Sequence, residues 1–219
     1  MTNPAPKRKT KERILDSALA MFNRFGEPNV SINAVAKSMG ISPGNLYYHF
    51  PSKDSVTQAL IERHQLALGP LLSSAHQAGD VETAWFFMHT LFEHIWHGRF
   101  IYRDQNNLLT KSLWLENALH DLLEKKIKAF QALIESLASN QWLTLAPEQR
   151  PMLAHSLTLV INYWMSFAYV REPREALEPA SQATAVLDGV QHALALLSAH
   201  LTPTGRAHWQ AILATYPSA

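Results

Sequence analysis

The sequence predicts an all-α protein in two parts, a small N-terminal three-helix module and a larger C-terminal helical domain. Three observations carry that prediction. Apolar residues recur three and four positions apart along most of the chain, the spacing of one helix face. No convincing run of alternating β-branched residues marks a half-buried strand. Glycine is sparse, at 8 of 219 residues, while leucine, alanine and glutamine, which favour helix, are frequent. A hydrophobic content of 47% in a chain of this length supplies a real core. Cysteine is absent, which excludes disulfides and thiolate metal sites. The N-terminus is polar and basic rather than signal-like, and no apolar stretch reaches the roughly 18 residues of a membrane span. The expectation is a soluble, cytoplasmic protein with no membrane contact.

The elements follow in order. Met1 to Pro6 precedes a basic run, Lys7, Arg8, Lys9 and Lys11, which reads equally as a phosphate-reaching arm or a solvated tail. Ile14, Leu15, Ala18, Leu19, Phe22 and Phe25 form the stripe of a first helix that Gly26 ends. Ser31 caps a second helix with Ile32, Val35, Ala36 and Met39 on one face, and Gly40 closes it. Ser42 caps a third, very short helix with Pro43 at its first position. Leu46 and Phe50, four apart, anchor that helix, and Pro51 ends it. Its other positions, Pro43, Gly44, Asn45, Tyr47, Tyr48 and His49, include no acidic residue. Small groups at its start permit close approach to a duplex. Asn45 and Tyr47, with Pro43 and Gly44, suit the major groove, and Ser42, Tyr48, His49 and Lys53 suit phosphates, as does Ser31. Charge agrees: residues 1–68 hold nine Lys/Arg against five Asp/Glu, whereas residues 69–219 hold ten against thirteen.

The stretch VSINAVAKSMGISPGNLYYHFPSKDSV resembles the DNA-binding signature of TetR-type transcriptional regulators, with its L-Y-x-H-F-x-x-K core preceded by G-I-S. The resemblance implies a helix-turn-helix at about 31–50 within a DNA-binding domain at 8–68, and a helical ligand-binding and dimerisation domain at 69–219. It also implies that the helix from Ser52 towards Leu68 links the two, its tilt setting the spacing of paired recognition helices. The pattern places Val56, Ala59, Leu60, Arg63 and Ala67 on its inner face, with Gly69-Pro70 as a breaker that kinks or ends it. The later stretch WHGRFIYRDQ is similar to a W-x-x-R-F-x-x-R-D pattern in one branch of the family.

Beyond Gly79-Asp80 the pattern predicts helices over 81–98, 108–115 and 117–137. Two long ones follow, at about 148–171 and 181–201, each apolar over more than one buried stripe needs. They are expected to pair with their symmetry mates in a homodimer, matching a palindromic operator in double-stranded DNA. A short amphipathic helix over 205–219 has no functional reading.

Trp85, Phe86, His89, Phe92, Trp96, Trp114, Tyr163, Trp164 and Phe167 are candidate walls of a pocket for a small apolar or amphipathic effector, set against the alternative that such stripes are core. Arg99 and Arg103 suit an anionic head group, or pair with Asp104 or Glu116. His94, His97 and Glu93 share a helix face but lack a further ligand, so no metal and no cofactor are expected. G-x-S-x-G, G-x-x-x-x-G-K and G-x-G-x-x-G are all missing, and no enzyme is expected. The reading is a DNA-binding repressor released from its operator by an effector. Its rival is an architectural or ligand-independent DNA-binding protein, which a solid C-terminal core would favour.

Overall fold

The computed structural model describes residues 10–175 and 178–215. Among them are eleven α-helices and one isolated bridge, Leu143 with Leu201, but no strand. In order they are α1 (Thr10–Phe25), α2 (Ile32–Ser38), α3 (Pro43–His49), α4 (Lys53–Ser73), α5 (Val81–His97), α6 (Arg99–Arg103), α7 (Gln105–Leu109), α8 (Leu113–Ser139), α9 (Arg150–Arg171), α10 (Gln182–Ser198) and α11 (Pro203–Thr215). Lys7, Arg8 and Lys9 lie outside the described residues, as does the end of the expected last helix.

The second and third helices are framed by the caps the sequence announces. Ser31 Oγ accepts from Ala34 N at 3.1 Å, and Ser42 Oγ accepts from Asn45 N at 3.2 Å. Gly40 adopts φ 67°, the left-handed turn that separates α2 from α3. Ile14, Ala18 and Phe22 of α1 are buried with Val35 and Ala36 of α2 and Leu46 of α3, so α1 fixes the angle of the hairpin. Phe25, expected on the buried stripe, is half exposed at the end of α1.

Helix α4 departs from expectation twice. It runs through Gly69-Pro70 to Ser73 instead of stopping there. Pro70 cannot donate to the carbonyl of Leu66, but both residues are exposed, which leaves that carbonyl open to solvent. Leu68 and Leu72, buried on the opposite side, hold the helix together through the breaker. Its buried face is Val56, Leu60, Ile61, His64, Leu68 and Leu72, one step round from the predicted one. Arg63 instead pairs with Asp16 at 2.8 Å at the edge, and Ala67 is exposed.

Helices α5, α8, α9 and α10 pack as the body of the C-terminal part, with α4 against α5 and α8, and α11 on α5. Helix α8 is continuous from Leu113, capped by Ser112, so the predicted piece at 108–115 divides between the one-turn α7 and the start of α8. The segment after α8 is tied to the end of α10 by Thr144 N donating to His200 O at 2.7 Å.

A polar junction fastens the N-terminal helices to the body. Asn23 Nδ2 donates to His97 O at 2.8 Å, and its Oδ1 accepts from Phe100 N at 3.0 Å. Arg103 donates to Phe22 O at 2.9 Å and pairs with Asp104 at 2.8 Å. Of the alternatives open to Arg103, the pair with Asp104 is the one formed. Asp104 Oδ2 in turn accepts from Glu27 N at 2.8 Å. The fully buried Glu27 carboxylate pairs with Lys111 at 2.5 Å and Lys53 at 3.2 Å.

Candidate nucleic-acid interface and effector cavity

Helix α3 is held from below by Leu46 and Phe50, both buried, and offers everything else outward. Ser42, Pro43, Gly44, Asn45, Tyr47 and Tyr48 are exposed, and Tyr48 is the most open of the large apolar residues at 86%. His49 is half-buried, its ring edge-on to Tyr48 with centroids 5.2 Å apart. A methyl group built on Gly44 would meet no atom of this chain within 4 Å. Internal packing therefore does not demand glycine there, and a partner that approaches the helix closely would. Ser31 is exposed at the start of α2 beside this face.

Lys53 stands apart from the other expected DNA contacts. Its ammonium donates to Glu27 O at 2.5 Å and pairs with the buried Glu27 carboxylate, over the Phe22 ring at 5.9 Å. The single charge of Glu27 is shared with Lys111, so the three groups together keep one positive charge, and the pair with Glu27 gives Lys53 a structural role beside the phosphate role expected of it. Lys37, exposed in the last turn of α2, has no ion-pair partner among the described residues, is close in sequence to α3 and went unpredicted. Its signal was its place on the polar side of α2, between buried Ala36 and exposed Ser38.

The two largest of the hollows found among the described residues are open clefts rather than sealed cavities. One, of about 720 Å³, opens between α1, α4 and the α5–α6 turn and is lined by Asp16, Asn23, Arg63, His64, His97 and Arg99 among others. The second, of about 480 Å³, lies among α6, α7, α8 and α9. Leu119, Leu122 and Ile101 give it apolar walls, and Gln105, Lys126 and Asn162 supply polar ones. Lys126 is 1% exposed. Its Nζ donates to Asn162 Oδ1 at 2.6 Å and faces the Tyr102 ring at 4.4 Å. Asn162 Nδ2 donates onward to Gln105 Oε1 at 3.0 Å. Among the described residues no carboxylate pairs with Lys126, and burial lowers its pKa to about 7. Behind it, Tyr102 Oη and His64 Nε2 share a hydrogen bond at 2.8 Å. Burial, and then the charge of Lys126, push His64 down to about 3, so it is neutral; burial also raises the pKa of Tyr102.

Comparison with known proteins fixes the family. A profile described as "Bacterial regulatory proteins, tetR family" matches residues 14–60, and one described as "Bacterial transcriptional repressor", TetR, matches residues 63–209. The chain belongs to the TetR family. A TetR-family transcriptional regulator from Marinobacter aquaeolei VT8 superimposes with a TM-score of 0.80 at 26% identity, over 95% of this chain and 99% of that one. Among curated relatives, the HTH-type transcriptional regulator UidR of Escherichia coli is 45% identical over 56 residues, 26% of this chain but only 29% of UidR. SmeT, the repressor of the Stenotrophomonas maltophilia multidrug efflux pump SmeDEF, shares the fold at a TM-score of 0.58 and 16% identity, over 90% of this chain and 92% of that one.

The TetR scaffold leaves most of the predicted pocket residues elsewhere. Trp85, Phe92 and Trp96 are core of α5. Phe92 fits under Gly189 of α10, where a Cβ would come within 2.4 Å of its ring. His89 stacks on Trp85 at 5.0 Å, and Phe86 and Trp114 are exposed. Trp164 is buried and donates to Ala185 O at 2.9 Å, tying α9 to α10. With Phe167 it lines a third hollow, of about 350 Å³, apart from the two larger ones. Arg103 is committed to the junction with α1. Only Tyr163, of the residues proposed from sequence, lines the 480 Å³ cavity. The residues missed were Lys126, Asn162 and His64. A signal existed for two of them. Lys126 falls four residues from both Leu122 and Phe130, and His64 four from both Leu60 and Leu68, so each interrupts an apolar stripe with a titratable group. Among the described residues no helix is long and apolar enough to cross a membrane.

Proposed function

We propose that the chain acts as a homodimer that binds a palindromic operator through paired α3 helices and represses transcription until a small molecule occupies the 480 Å³ cavity. The observation that carries this reading is the outward face of α3. Six exposed residues from Ser42 to Tyr48 without an acidic side chain, on a helix clamped from beneath, suit a major groove. In this arrangement Asn45 and Tyr47 read base edges, and Ser31, Ser42, Tyr48 and His49 position on phosphates. Helix α9 supplies a dimer face. Met152, Leu159, Tyr163, Phe167 and Val170 are exposed along one side, an unusual cost for a monomer. Pairing with α10 against their symmetry mates would cover them. The relatives agree in kind: IcaR of Staphylococcus aureus is a negative transcriptional regulator, and SmeT has been solved in complex with triclosan. No catalytic role is assigned to the chain.

The link from cavity to DNA runs through α4. Lys126 touches Tyr102, Tyr102 holds His64, and His64 lies on the helix whose other end carries Lys53 and abuts α3. A ligand that moved Tyr102 would bias the tilt of α4, and it would release DNA to the extent that it preferred the tilted state. The cavities favour this reading over an architectural protein with a solid body.

Selection of sites from a random duplex library at near-physiological salt tests the reading. Enrichment of an inverted repeat that Tyr47→Ala fails to enrich is expected. Retention of all sequences alike, with no motif, would instead support the architectural rival.

A further inference from the structure

We propose that the 480 Å³ cavity selects a monocarboxylate on an apolar body, seated with its carboxylate against Lys126 and Asn162. The inference rests on reading that cavity as the effector site, and it names the chemistry of what enters. A buried ammonium is costly unless it meets an anion or several acceptors. Lys126 has three donors, and the hydrogen bond to Asn162 and the Tyr102 ring face are the partners it is given. The chain holds it there, on the wall of a cavity, without a counter-ion among the described residues. The missing charge is then the ligand's to bring. A carboxylate fits better than a phosphate. The cavity offers one cation and neutral amides at its floor, and Glu116 lines the same cavity, so a second negative charge would be repelled. Leu119, Leu122 and Leu123 on α8 with Ile101 on α6 accommodate an aliphatic or aromatic body.

The titratable groups that face the site are few. Besides Lys126 they are Tyr102, whose burial raises its pKa, Tyr163 on α9, Glu116 and His120 on α8, and neutral His64 behind Tyr102 on α4. Of these, Lys126 is the group that meets the seated carboxylate, so the charge preference of the site follows its protonation. With its pKa near 7 in the empty site, it is charged below that pH and must take up a proton to hold a carboxylate above it. Carboxylate affinity should thus be flat at pH 6 and fall as pH rises from 7 to 9, while affinity for a neutral analogue should not.

The test titrates hexanoate, 4-phenylbutyrate and their primary amides into the full-length protein at pH 6, 7.5 and 9. At pH 6 each acid should bind about tenfold or more tightly than its amide, as a charge-assisted hydrogen bond predicts. Lys126→Met should keep amide binding and lose the preference. The pH series in the unmodified protein needs no variant and so does not depend on the variant's folding. Equal binding of acid and amide, binding of neither acid, or a preference that survives in Lys126→Met would overturn the proposal. Operator release is measured separately. A carboxylate that binds as described yet leaves operator affinity unchanged would sink the regulatory reading and leave the charge selectivity standing.

Discussion

Glu27 carries no exposed surface, yet its carboxylate meets two ammonium groups, one from the start of α4 and one from the turn before α8. Lys53, held in that cluster, and Lys37, exposed on α2, are expected to weigh differently on stability and on DNA binding. Lys37→Gln should lower the salt dependence of DNA binding by about one counterion and leave stability unchanged. Lys53→Gln should instead lower unfolding free energy by about 1–3 kcal/mol, because it strands part of a buried charge, with a smaller effect on the salt slope. Salt titrations of binding beside urea denaturation of both variants separate these outcomes, and a matching salt effect for both would refute the distinction. Gly44 invites the complementary test. Its Cβ would meet nothing, so Gly44→Ala should leave the fold intact or gain up to about 1 kcal/mol from helix propensity. Operator affinity should nonetheless fall, since the added methyl stands where the duplex would lie.

Helix α4 shows how a tertiary environment overrides a local signal. Gly69-Pro70 is a breaker pair in any sequence, but here Leu68 and Leu72 are buried on one side while Leu66 and Pro70 face water on the other. The helix continues because the burial is worth more than one missing hydrogen bond whose acceptor is solvated. Pro70→Ala should restore that bond and raise stability by about 1–3 kcal/mol, after allowing for the looser unfolded chain. A melting temperature that stays the same or falls would mean that the proline is favoured in this helix. The same reasoning explains the shifted face of α4: Arg63 and Ala67 fit an apolar spacing, but Asp16 draws Arg63 to the edge and His64 turns inward to Tyr102.

For the molecule as a whole, the uncompensated Lys126 weakens the ligand-free fold in a pH-dependent way. Its folded pKa lies below the ordinary lysine value, so between about pH 7 and 10.5 the unfolded chain binds more protons and stability from this group rises with pH. Lys126→Met should therefore stabilise the ligand-free protein by roughly 1–4 kcal/mol at pH 6, and the gain should shrink as pH approaches 10. Chemical denaturation at both pH values reads it, and a gain independent of pH would show that packing rather than charge is responsible. This is also where reading the sequence met its limit. The caps at Ser31, Ser42 and Ser52, the turn at Gly40, the exposed face of α3 and the family were all legible in the sequence, because each depends on residues within a few positions of one another. The aromatic residues of α5 and α9 were not assignable to core or cavity, since helical spacing is the same in both, and only the closeness of Gly189 to Phe92 put that ring in the core. Lys126, Asn162, Tyr102 and His64 lie on four different helices, as Glu27, Lys53 and Lys111 lie on separate elements. Periodicity within one helix carries no information about which charge another helix will bring to meet it, so those pairings, and the cavity built from them, were decided by packing alone.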